Sequence, residues 1–253
     1  MSVLALASVA GAPGVTTTAV ALALAWPRPV VLVEADPIGA SAVLPGLLRG
    51  GARHDRGVLD AAVAARSGAL TAALPELLIA LPGGQARLLA GLARPEQAAT
   101  MTRSWPVLAP ALAEASAVLD LDVIIDVGRL SQAGAALPAL GTAEKVLAVT
   151  RTTLPALHVL RAWLPTLRSA LVDQTRLGLL LVGEGQPYRA GEITRTLDVP
   201  VTAVLPEEPG AAAAYSTGSA HPRRSEFARA LNLLVRDLAP TTVPASATSG
   251  GSR

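Results

Sequence analysis

Gly11-Ala12-Pro13-Gly14-Val15-Thr16-Thr17-Thr18 stands between an apolar run, Val3 to Val9, and an Ala/Leu run that ends at Ala25. The first run has the length of a buried strand. The second has the composition of a helix, predicted here over Thr17 to Ala25. A strand, a tight glycine turn and a helix N-terminus in that order make a place where backbone N–H groups and the helix dipole collect an anion. Laid without gaps on the phosphate-loop pattern G-x-x-x-x-G-K-[ST], Gly11 meets the first glycine and Thr18 the magnesium-binding hydroxyl. Thr16 stands at the second glycine and Thr17 at the lysine. A β-branched residue resists the positive φ that glycine supplies, so a reshaped or strained loop is predicted at Thr16. With two of its core positions changed, the motif alone also fits an ordinary glycine-rich turn.

Two acidic corners follow. Val30-Val-Leu-Val-Glu34-Ala35-Asp36-Pro37 is an apolar strand that ends in carboxylates, and Val123-Ile-Ile-Asp126-Val127-Gly128 is another. Either corner alone also fits a helix cap or a turn. After a glycine loop, the two together have the order that nucleotide chemistry requires. That chemistry needs one carboxylate for the magnesium shell and one to orient the attacking water, both at strand ends beside the phosphate loop.

Outward from these motifs, short apolar runs alternate with longer Ala/Leu segments, the pattern of a mostly parallel sheet covered by helices on both faces. Strands are predicted near Val3–Val9, Val30–Glu34, Ala86–Ala90, Val123–Asp126, Val146–Thr150, Leu177–Val182 and Val201–Val204. Helices are predicted over Thr17–Ala25, Gly57–Arg66, Arg103–Leu119, Leu154–Leu171, Ala190–Leu197 and Ser225–Leu238. In the last, Phe227, Leu231, Leu234 and Leu238 share a core-facing side, with Arg229 and Arg236 outward. The polar stretch from Pro240 reads as a flexible tail.

Composition narrows the functions. At 253 residues, with 51% hydrophobic and 16% charged side chains, the chain can bury one large α/β core. It has no cysteine, which excludes disulfides and thiolate chemistry, and His54, His158 and His221 show no ligand spacing. A net charge of +2 without a long basic run gives no strong nucleic-acid footprint. There is one lysine, Lys145, against twenty arginines, so any role that needs a lysine has only Lys145. Val3 to Pro27 carries no charge, yet no basic residue precedes it and a turn interrupts it, so neither a signal peptide nor a transmembrane segment is expected.

From Ser2 to Leu238 the sequence resembles the MinD/ParA family, which includes chromosome-partitioning and septum-positioning ATPases and the pilus-localising TadZ/CpaE proteins. The loop is similar to the family's K-G-G-x-G-K-T-T, Glu34-Ala35-Asp36 to its D-x-D, and Asp126 to its D-T-x-x corner. Val146 to Arg151 with the helix after it, and Val199 to Pro209 with Tyr215 and Gly218 beyond, look like its later strand–helix segments, the second of them near the adenine.

The resemblance implies an α/β P-loop NTPase domain over residues 1–239 and a tail over 240–253. It implies a nucleotide-binding loop of Gly11, Ala12, Pro13, Gly14, Val15, Thr16, Thr17 and Thr18, with ATP and Mg2+ as the cofactors. Asp36 corresponds to the water-orienting aspartate, and Thr18 and Asp126 to the magnesium residues. A cytoplasmic homodimer serving a larger protein machine is implied as well.

The departures change the expected activity. The loop lysine falls on Thr17, the family's cross-dimer lysine falls on Ala12 or a neighbour that is also not basic, and Val182-Gly183-Glu184 stands where a base-reading asparagine belongs. Of the arginines, Arg28 and Arg129 lie nearest the motifs in sequence. A degenerate family member with weak or no ATP hydrolysis, acting as a positioning or assembly scaffold for a pilus or secretion system, is expected. The alternative is an active ATPase switch for chromosome partitioning or division-site placement.

Overall fold

The computed structural model describes residues 2–11, 13–132, 135–220 and 224–239. Ala12, His221 and the tail expected over 240–253 lie outside them. Eight strands form one sheet: β1 (Val3–Ser8), β2 (Val30–Glu34), β3 (Ile79–Ala80), β4 (Ala86–Leu89), β5 (Asp122–Arg129), β6 (Lys145–Arg151), β7 (Leu177–Val182) and β8 (Val201–Leu205). Their order is β3-β4-β2-β5-β1-β6-β7-β8. Every pairing is parallel except that of the two-residue β3 with β4.

The central strands are buried on both faces, which is why they read as unbroken apolar runs rather than as alternations. Along β1, Val3, Ala5 and Ala7 face one core while Leu4 and Leu6 face the other. Against the first core pack α2 (Val58–Arg66), α3 (Leu70–Leu77), α4 (Ala98–Val118), α5 (Leu137–Leu140), α6 (Leu154–Ser169) and α7 (Ala190–Leu197). Against the second pack α1 (Val15–Ala25), α8 (Pro209–Ser216) and α9 (Glu226–Leu238). Phe227, Leu231 and Leu234 of α9 are buried, and Arg229 and Arg236 point to solvent, as their spacing requires. No helix among the described residues is long and apolar enough to cross a membrane.

Several boundaries differ from expectation. α1 begins at Val15, two residues before the predicted start, with Gly14 in the left-handed region (φ 91°) as its N-cap. α4 begins at Ala98, not Arg103, and continues through Pro106 and Pro110. Both prolines lie on its exposed side, where the carbonyls they leave without a helical N–H face solvent rather than the core. α3, α5 and β3 were not expected. In α3, Leu70, Leu74 and Leu77 carry the helical spacing, but a Pro75 inside the segment obscures it.

The edge of the sheet away from the phosphate loop is closed by one carboxylate. Asp122, fully buried at the start of β5, accepts hydrogen bonds from the Ser2 backbone N–H (2.7 Å), Trp26 Nε1 (2.8 Å) and Arg28 Nε (3.2 Å). Arg28 also donates to Asp120 at 2.6 Å. Removing the carboxylate leaves the buried Trp26 Nε1 without its acceptor and takes one from the part-buried Ser2 and Arg28 donors, a loss of about 3 kcal/mol. Asp122→Ala is therefore expected to lower the melting temperature by roughly 6–12 °C for a chain of this size, measured by circular dichroism. A shift under 2 °C would show that water replaces the carboxylate.

Candidate functional site

Because the strands run parallel, the C-terminal ends of β1, β2, β5 and β6 lie together along one edge of the sheet. The phosphate loop leaves β1 there, and Asp36, Asp126, Arg129 and Arg151 follow the ends of the neighbouring strands. Asp126 sits between Leu6 of β1 and Glu34 of β2 in register. A bulge on β5 accommodates Val127, and Gly128 takes φ 65°. Glycine is required here twice over: a Cβ at 128 would lie 2.0 Å from the Asp36 carboxylate.

Two cavities open at this edge. One, of about 220 Å³, is lined by Pro13, Gly14, Thr17, Thr18, Arg151 and Glu207, with Pro206, Glu208, Pro209, Ala212 and Phe227 closing its far side. The other, of about 40 Å³, is lined by Thr16, Glu34, Asp36, Ser41, Gly91 and Asp126 among others. Of the sequence-predicted residues, Pro13, Gly14, Thr17 and Thr18 line the first cavity and Thr16, Asp36 and Asp126 the second. Thr18 faces the first and Asp126 the second, so the two donors expected for magnesium do not line a common space. Among the described residues no three His, Asp or Glu side chains are placed to hold a metal ion.

The expected strain at Thr16 is corrected by the structure. The loop's positive φ angles fall on Gly11 (67°) and Gly14 (91°), and Thr16 lies within the first turn of α1, where a β-branched residue is unstrained. Its hydroxyl is directed at Asp126. Thr18 is 2% exposed; its backbone N–H donates to the Gly14 carbonyl (2.9 Å), and its hydroxyl has no hydrogen-bond partner among the described residues.

On the acidic side Glu34 and Asp126 are buried and Asp36 is half-buried. Glu34 accepts from the Gly91 N–H (3.2 Å) and the Val43 N–H (3.4 Å), Asp36 from the Ile38 N–H (2.9 Å), and Asp126 from the Gly128 N–H (3.0 Å). Burial pushes Asp126 up to about 7; the Thr16 hydroxyl opposes this, and the Asp36 and Glu34 charges reinforce it. Asp36 is raised as well, by burial, against the Ile38 N–H and Arg129.

The cations are placed unequally. Lys145 is the first residue of β6, so it lies at the opposite edge of the sheet, roughly 20 Å along the strand from Arg151. Arg28 is at that opposite edge too, bound to Asp120 and Asp122. Arg129 reaches the loop: its Nη2 donates to the Gly11 carbonyl at 2.5 Å. It thereby pins the loop through an acceptor, while its Nε is buried without a partner. Arg151, which sequence reasoning passed over, lines the larger cavity and pairs with Glu207 at 2.6 Å. The available signal was its position as the charged last residue of an apolar strand ending at the site edge.

No protein-family model and no curated protein sequence matches the chain. Solved structures do. The septum site-determining protein MinD of Pyrococcus horikoshii, complexed with Mg-ADP, is 20% identical, over 93% of this chain and 95% of its own, with a TM-score of 0.67. A chain of the MinC:MinD cell division complex of Aquifex aeolicus is 18% identical, over 96% and 98%, with a TM-score of 0.73. A ParA family ATPase of Chlorobium tepidum is 14% identical, over 94% and 99%, also at 0.73. The chain has the MinD/ParA-like fold along nearly its whole length.

The proton linkage of Asp126 can be measured. The folded chain holds this proton more tightly than the unfolded chain, whose ordinary value is 3.8. Its stabilising effect is complete below about pH 4 and is lost as the pH rises through about 7. In magnesium-free buffer, Asp126→Asn, which does not titrate, is expected to gain stability over the parent between pH 4 and 8, by up to about 4 kcal/mol. A difference that stays constant with pH would show that Asp126 is ionised throughout.

Proposed function

We propose that this chain is a degenerate MinD/ParA-like protein with weak or no ATP hydrolysis, acting as a homodimeric, cytoplasmic scaffold that positions or assembles a larger protein machine such as a pilus or secretion system. The observation that carries the reading is the phosphate loop itself. Thr17 stands at the lysine position, and the one lysine of the chain is at the other edge of the sheet. Loss of a buried cation that pairs with phosphate costs on the order of 2–5 kcal/mol in binding, or roughly 30- to several-thousand-fold in affinity. The division of the site supports the same conclusion, since Thr18 and Asp126 do not share a cavity.

In this proposal Gly11 to Thr18 remain the nucleotide-facing loop, Asp36 the remnant of the water-orienting carboxylate, and Thr18 and Asp126 the remnant of the magnesium pair. Residues 1–239 form the P-loop domain, with 240–253 as its tail. The dimer is built without nucleotide as its switch, because a ligand with no differential affinity for two states shifts neither. The scaffold role and its machine rest on the family resemblance and on the weakened loop, not on a recognition surface.

ATP turnover is expected at background, since one lost charge-stabilising group costs about 10²–10³ in rate. The double substitution Thr16→Gly with Thr17→Lys is expected to create Mg-ATP affinity at least roughly 30-fold above the parent. Either change alone is expected to do less, because the two positions share one loop. Turnover near 1 s⁻¹ in the unaltered chain, abolished by Asp36→Ala, would sink the proposal.

A further inference from the structure

The larger cavity at the loop holds a cation that the phosphate-loop pattern does not include. Arg151 closes β6, and Glu207 lies in the segment between β8 and α8. Their side chains meet at 2.6 Å across the cavity that Gly14, Thr17 and Thr18 line from the other side. The α1 N-terminus, eleven residues long and capped by no side chain, therefore opens on the same space as a guanidinium. A second observation points the same way. Thr18, 2% exposed, turns a hydroxyl without a hydrogen-bond partner among the described residues to that cavity. An oxyanion in the cavity would accept a hydrogen bond from that hydroxyl.

We infer that Arg151 is the anion-binding cation of this pocket, standing in for the missing loop lysine, and that Glu207 holds it in reserve by occupying it. The ligand class is a phosphate or diphosphate group, free or carried by a nucleotide, bound without magnesium. This rests on the proposed function in taking the loop as a phosphate site, and it adds which residue binds the anion and what competes with it.

The competition follows from geometry and charge. The guanidinium offers its donors as a planar fork suited to carboxylate and phosphate alike, so one ligand excludes the other from the same edge of Arg151. Side chains of Arg151 and Glu207 are 42% and 37% exposed, so the pair can open without dismantling the core. The neighbouring Glu208 is committed elsewhere. It accepts from the Ser225 hydroxyl (3.0 Å) and the Phe227 N–H (2.9 Å) at the start of α9, and does not compete for Arg151.

The test uses the full chain and isothermal titration with pyrophosphate and with ADP, both without magnesium. Glu207→Gln is expected to raise the affinity for both probes about tenfold, the worth of one charge-assisted hydrogen bond. A gain confined to ADP would mean that the base, not the phosphate, is recognised, and would overturn the inference. Adding Arg151→Gln to Glu207→Gln is expected to remove the gain, while Arg151→Lys in the same background keeps most of it. A structural effect of position 207 would not follow the charge at 151. Glu207→Ala serves as the second variant should the glutamine perturb the loop. No gain in either Glu207 variant, or a gain that survives Arg151→Gln, overturns the inference whatever the turnover. Rapid ATP turnover by the parent chain would sink the proposed function alone.

Discussion

A single direction for the strands is the constraint on which the rest of the molecule depends. β1, β2, β4, β5, β6, β7 and β8 all run the same way, and only the two-residue β3 opposes them. Parallel strands need crossovers on the faces, so the sheet is buried on both sides and its strands are apolar throughout. The same constraint delivers the strand ends to one edge. Gly14, Asp36, Asp126, Arg129 and Arg151 are neighbours there although they are spread over just more than half of the chain's length in sequence. At the opposite edge it brings together Ser2, Trp26, Arg28 and Asp122, which hold the strand starts in place.

In the proposed function, the site edge is a phosphate site with its charges rearranged. Glycine at 14 supplies the left-handed turn and lets α1 begin at Val15, so threonine is tolerated at 16 without strain. Yet the threonine at the glycine position places a hydroxyl beside Asp126, within an acidic pocket whose carboxylates accept from backbone N–H groups. Positive charge enters from elsewhere: Arg129 binds the loop's outer carbonyl, and Arg151 is held by Glu207. In the proposed function, the scaffold of a nucleotide site is kept, while Thr18 and Asp126 line separate cavities.

Much of this was legible in the sequence because the signals were local. The apolar runs at β2 and β7 and the helix at α7 matched their predicted bounds, since each is closed by a turn or a charge. The glycine loop and the corners at Asp36 and Asp126 were placed at one edge by strand order alone. What escaped was non-local or ambiguous. α3 was hidden by Pro75, and the start of α1 was set by the φ of Gly14, which no pattern of side chains reveals. The division of Thr18 and Asp126 between two cavities depends on rotamers, and the Arg151–Glu207 pair joins residues 56 apart. A charge at a strand end is visible in sequence, but its partner is decided by the fold.

The central claim is that this fold has kept the shape of a nucleotide site and lost its grip on Mg-ATP. Calorimetric titration of the full chain with ATP and magnesium tests it most directly. The expected result is no saturable heat up to millimolar nucleotide, an affinity weaker than about −4 kcal/mol. Saturable binding at micromolar concentration, lost on Thr18→Ala or Asp126→Ala, would contradict it by showing that the two cavities close around the ligand into a working site.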